Sequence, residues 1–178
     1  MSPEEVLRFW FGDEELSREE WWRKDEDFDR EIRDRFGALY EEATSSALDT
    51  WRESAEGSLA LVIVLDQFPR NMFRGDPKSY ATDEKAQETA KYAVDRAFDR
   101  ELSPVRRSFL YMPFMHSEDL EDQGRSVELF EGMGTARYAV RHMEIVERFG
   151  RFPHRNAVLG RATTPEEAEF LKEPGSSF

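Results

Sequence analysis

Seven consecutive apolar residues, Leu59 to Leu65, leave no polar face in either a helical or a strand period, so the rest of the chain has to wrap this segment. Ser54 is placed to cap a helix running through it, and Pro69 is expected to stop that helix by disfavouring helical dihedrals at Phe68. The β-branched residues would also suit a buried strand. No second strand pattern exists to satisfy its backbone groups, which decides for helix.

Other segments alternate with a helical period. Ser2-Pro3-Glu4-Glu5 reads as a capped start, with Gly12 as the stop. Trp21 and Trp22 sit in a charged connector. From about Glu26, the positions Phe28, Ile32, Phe36, Leu39, Tyr40 and Ala43 fall on one stripe. After a short piece around Trp51 and the central segment, Thr82 begins a helix whose inner face is Ala86, Ala90, Ala93, Val94 and Ala97, small enough for close helix approach.

Ser103-Pro104 opens a helix that Pro113 should bend. Ser117 or Asp119 starts the next, ended by Gly132-Met133-Gly134, and Thr135 to Phe149 follows with Gly150 as its left-handed stop. Thr164-Pro165-Glu166-Glu167 caps a last short helix before Pro174-Gly175 and Phe178. The pattern predicts an all-α fold of about seven to nine helices with no fixed repeat interval. No linker divides residues 1–178, which read as a single domain.

Composition narrows the function classes. Cysteine is absent, which fits a reducing, cytoplasmic setting and removes thiolate chemistry. No signal peptide and no membrane-length apolar run is visible. A net charge of −13 repels phosphate backbones and anionic membranes, so nucleic acid and membrane are not expected partners. Within this acidic chain, Arg137, Arg141, Arg148, Arg151, Arg155 and Arg161 face only Glu144 and Glu147 between positions 137 and 161. Such a basic stretch either holds an anion or pairs with the chain's own carboxylates.

Unusual polar groups gather at three proline-bounded junctions: Phe68-Pro69-Arg70-Asn71, Met112 to Asp119, and Phe152-Pro153-His154-Arg155-Asn156. In the first and third, an aromatic residue and a proline can pin the backbone so that Arg and Asn point in a fixed direction. Arg70, Asn71, Arg151, Arg155 and Asn156 are therefore candidates for binding a small anion, with His116, His154 and Asp66 as candidates for moving protons. His142 lies on the helical stripe of Tyr138, Ile145 and Phe149, where it is either a satisfied core residue or a further ligand contact. Asp66 opposes the dipole near a helix end and needs a partner such as Arg70, Arg74 or an arginine of the third junction. Glu118, Asp119 and Asp122, with His116, offer a weaker option of metal binding. Metal-binding histidine spacings and cofactor- or nucleotide-binding motifs are missing, so no cofactor is expected.

LDQFPRNMFRG (65–75), SFLYMPFMHSEDLEDQ (108–123), RHMEIVERFGRFPHRNAVLGR (141–161), FLKEPGSSF (170–178) and the opening VLRFWFG (6–12) closely resemble the bacterial family called domain of unknown function 924. The resemblance implies a tetratricopeptide-like array of antiparallel helix pairs in a superhelix, and brings no established activity or residue role. Two functional expectations follow. One is a small-molecule pocket for an anion where the junctions meet, with acid-base chemistry available. The alternative is a protein or peptide interaction module, served by the aromatic residues Phe9, Trp10, Phe11, Trp21 and Trp22.

Overall fold

The computed structural model describes residues 1–12 and 19–178, so the start of the charged connector, residues 13–18, lies outside the described residues. Those described are all-α, with no strand among them. None of their helices is long and apolar enough to cross a membrane. The chain divides into two compact units, Met1–Arg74 with Lys78–Pro113, and Gly75–Pro77 with Phe114–Phe178.

The first unit forms around the apolar run. Helix α1 (Pro3–Phe11) opens with the Ser2/Glu5 capping box, and α2 (Glu26–Thr44) buries the predicted stripe from Phe28 to Ala43. Ser54 accepts from the Gly57 N–H to start α3 (Ala55–Val62). Gly57 is required there because a Cβ would lie 2.1 Å from the Trp51 carbonyl oxygen. Leu59 to Leu65 are at most 2% exposed, as an element without a polar face must be.

Pro69 does not end this helix. The chain widens into a π-helical turn, Ile63–Gln67, where the Phe68 N–H reaches back to the Ile63 carbonyl, and continues as α4 (Phe68–Met72). Proline cannot donate to the carbonyl four residues earlier, that of Leu65. Thr82 Oγ1 donates to this carbonyl instead, at 2.6 Å. A supplied donor and a locally wider turn thus carry the helix past a residue that would otherwise stop it.

The donor has a measurable role. Thr82→Val removes a buried hydrogen bond from a carbonyl that Pro69 cannot serve, and should lower stability by about 1–2 kcal/mol in urea unfolding, whereas Thr82→Ser should cost much less. Equal losses in both variants would show that the hydroxyl is not what matters.

Thr82 also precedes α5 (Asp83–Asp95), which presents Ala86, Ala90 and Ala93 fully buried against α3. Val94 and Ala97 are half-buried, outside the tightest part of that face. Of the aromatic residues that an interaction module would display, Trp10 and Phe11 belong to the core, and Phe9 and Trp21 are half-buried. Trp10 and Phe11 are 1% exposed, Phe9 stacks on Phe28, and the Trp21 indole donates to the Trp10 carbonyl. Trp22 alone in that set is well exposed, and its ring stacks on Phe109.

Helix α6 (Pro104–His116) runs through Pro113, and its last turn belongs to the second unit. Asp119, rather than Ser117, caps α7 (Leu120–Leu129), accepting from the Glu121 and Asp122 N–H groups. Helix α8 (Ala136–Phe149) packs on α7 and stops at Gly150, whose φ of 68° suits a residue without Cβ. A single 3₁₀ turn, Pro153–Arg155, leads through a loop to α9 (Pro165–Phe170), opened by the Thr164/Glu167 capping box. Ile145, Val146, Phe152 and Phe170 form the core here, with Phe149 packed against it. Tyr138, expected on the apolar stripe of α8, is 48% exposed.

Candidate functional site

In the first unit, the π-helical turn and α4 position Asp66, Arg70 and Asn71. Asp66 has no exposed surface. Its carboxylate receives the Gln67 amide at 2.6 Å and lies 3.2 Å from Arg70. The Arg70 guanidinium also forms a two-pronged pair with Asp83, at 2.8 and 3.0 Å, and donates to the Asp66 carbonyl. Burial opposes the Arg70 charge, but Asp66 and Asp83 outweigh it and raise its pKa. Asn71 donates to Asp29, which Arg74 also grips with two nitrogens. Arg70 is therefore the partner that Asp66 needs, while Arg74 serves Asp29.

The second and third junctions meet in the second unit. Glu118 accepts both terminal guanidinium nitrogens of Arg161, at 2.7 and 2.9 Å, together with the Phe152 N–H at 2.7 Å. Arg161 returns a bond to the Phe152 carbonyl and another to Asn156 Oδ1. Both polar groups of the Phe152 backbone are thus clamped, which fixes where the Phe-Pro-His-Arg-Asn turn begins. Burial pushes the Glu118 carboxyl up, yet the Arg161 and Phe152 bonds prevail and leave it lowered.

Arg151 pairs with Glu167 through two nitrogens, at 2.7 and 2.9 Å. Those bonds, with the Thr164 N–H and the Asn156 amide, bring the Glu167 carboxyl down to about 2. Asn156 is fully buried. Arg141 and Arg148 likewise pair with Glu144 and Glu166. Much of the basic stretch between 137 and 161 is therefore internal pairing. Glu118 read as a possible metal-binding carboxylate and Arg161 as one charge in a basic run, and their pairing was not legible because they lie far apart in sequence.

Inside this frame the three histidines come together. The His116 and His142 ring centroids are 6.4 Å apart, and the Phe178 ring lies 3.7 Å from His142 and 4.6 Å from His154. Phe152 contacts His142, His154 and Phe178. Arg155, 5% exposed, lays its guanidinium over the Phe152 ring at 4.7 Å and donates to the His116 carbonyl at 2.9 Å.

His142 is 5% exposed, and its Nδ1 lies 2.7 Å from the Tyr138 carbonyl. A carbonyl only accepts, so Nδ1 carries the proton and Nε2 the lone pair. Burial, with the charges of His116, Arg155 and His154, brings its pKa down to about 3. His142 is accordingly neutral at physiological pH, a hydrogen-bond acceptor but too weak a base to take a proton there. Phe178 had no sequence signal, since an aromatic residue after a Pro-Gly turn looks like any other.

The residues weighed for metal binding are engaged individually. Asp119 caps α7, Asp122 accepts the Ser117 hydroxyl, and Glu118 holds Arg161. Among the described residues, no group of three or more His, Cys, Asp or Glu side chains is arranged to hold a metal ion.

The family described as "Bacterial protein of unknown function (DUF924)" matches residues 6–175. The chain belongs to this family. It is also similar to the solved structure of the protein of unknown function ATU0120 from Agrobacterium tumefaciens, with 44% identity, a TM-score of 0.90, and coverage of 96% of each chain. No curated protein matches the chain.

Proposed function

We propose that the second unit carries a binding site for a small anion, lined by His116, His142, His154 and Arg155. One observation supports this reading above all: the chain has three histidines, and all of them share one aromatic-walled cluster with a buried arginine. A core built only for stability has little use for several polar rings packed around one another, because each must keep its nitrogens satisfied. In this reading His142 offers a neutral acceptor and Arg155 a fixed positive charge. His116 and His154 are the groups for proton transfer if the site is catalytic. Arg151 and Asn156 act at one remove, through Glu167 and the loop it fixes. The network of Asp66, Arg70 and Asn71 is read as support for the first unit.

A thermal-shift panel of small organic anions and phosphate tests the reading. A ligand at about 100 times its dissociation constant adds about 2.7 kcal/mol of stability. We expect at least one such shift in the wild type and its loss in His116→Ala, with the helical circular dichroism unchanged. A shift that survives in both His116→Ala and His154→Ala would move the ligand elsewhere.

A further inference from the structure

Two arginines close on one tyrosine ring in the first unit. Arg52, in the 3₁₀ turn Asp49–Glu53, and Arg96, at the end of α5, bring their guanidinium carbons to 4.6 and 4.5 Å from the centre of the Tyr92 ring. The backbones that carry them are fixed. The Ser58 hydroxyl donates to the Arg52 carbonyl, and the Arg96 N–H donates to the Tyr92 carbonyl one turn back. We propose that Arg52, Arg96 and Tyr92 form a surface site for a phosphate-type oxyanion, separate from the histidine cluster of the second unit.

The charge balance around the ring carries the inference. One arginine is enough to cover a tyrosine face, and a second adds a like charge that the ring does not neutralise. Elsewhere in this acidic chain, arginines such as Arg151 and Arg161 close on carboxylates. Among the described residues, no carboxylate forms an ion pair with Arg52 or Arg96. The acidic residues within about one turn of the three are otherwise placed. Asp49, Glu53, Glu88 and Asp95 are exposed and pair with neither arginine, Glu56 holds Arg106, and Asp99 accepts the Tyr111 hydroxyl.

The donors set the class of ligand. The two ring distances keep the guanidiniums within about 9 Å of each other, close enough for one tetrahedral anion to reach both. Arg52 Nε is buried without a hydrogen bond, so a ligand meets the two outer nitrogens of that side chain, and Arg96 is exposed. Two guanidinium forks call for about four acceptor oxygens. A carboxylate has two and serves one fork, whereas a phosphate serves both, with the Tyr92 hydroxyl as a further donor beside them.

The test titrates inorganic phosphate, glycerol phosphate and acetate into the protein while the backbone amide signals of residues 50–54 and 92–97 are followed by NMR. Phosphate should move those signals and bind at least about tenfold more tightly than acetate. Arg96→Gln, at an exposed position, should weaken phosphate binding about tenfold, and Arg52→Gln should do the same. His116→Ala should leave it unchanged, which separates this site from the one in the second unit. Glycerol phosphate bound as tightly as phosphate would assign the site to phosphate monoesters, and phosphate bound alone would assign it to the free ion; either result upholds the oxyanion site. Phosphate affinity unchanged in both arginine variants, acetate bound equally well, or signals that stay still with phosphate would overturn it.

Discussion

Arg70→Ala is expected to destabilise the protein by about 3–5 kcal/mol, because it leaves the wholly buried Asp66 carboxylate without its counter-charge. The Gln67 amide is a neutral donor and does not replace the Arg70 charge. Asp83 loses both prongs of its pair in the same step, although it is the less buried of the two carboxylates. Urea unfolding at neutral pH would measure the loss. Neutralising the stranded charge in Asp66→Asn/Arg70→Ala should recover a large part of it, giving strong non-additivity in the double-mutant cycle. Additive single effects would mean that the two residues are not coupled and that Arg70 acts mainly through Asp83.

The second large effect is on acid stability. His142 titrates at about 3 in the folded protein against 6.5 as an unperturbed group. Its folded pKa is depressed, so below 6.5 the unfolded chain takes up a proton that the folded chain refuses. The contribution of His142 is complete above pH 6.5 and is lost as the pH falls toward 3, by about 1.4 kcal/mol per pH unit. Stability at pH 5 should therefore be about 2 kcal/mol lower than at pH 7.

The carboxylates do not obscure this window. Glu118 and Glu167 also have depressed values, but their contributions persist above 4.5 and fall only at more acid pH. His142→Phe keeps a ring in the same place without a titrating group, and should flatten the profile between pH 5 and 7. An unchanged slope in that variant would assign the acid sensitivity to other groups.

The two effects concern different parts of the chain but share one cause. In each, a titratable side chain is held away from water, and its charge state depends on the groups packed around it. At Asp66 the charged form survives because Arg70 is one helical turn away. At His142 the charged form is suppressed by burial first, and then by the charges of His116, Arg155 and His154 beside it.

By itself the sequence determined those features whose partners lie within about one helical turn. The Ser2/Glu5 and Thr164/Glu167 capping boxes, the Ser54 cap, the stripe on α2 and the burial of Leu59 to Leu65 all appear as read. Each is settled by neighbours in the chain or by the absence of any polar face. The Asp66–Arg70 pair was legible for the same reason, being four residues apart on one helix.

Tertiary structure decided what depended on groups brought in from afar. Pro69 reads locally as a stop, and only the Thr82 hydroxyl on the Leu65 carbonyl, with the π-helical turn, allows the helix to pass it. The sign of the basic stretch could not be judged without Glu118 and Glu167, which absorb Arg161 and Arg151. The histidine cluster was open for the same reason. His116, His142 and His154 stand on α6, on α8 and in the turn after it, and no sequence interval states that their rings will meet. Local bonding selects helices and their ends, whereas the long-range packing of those helices selects which charges are compensated and which rings share a site.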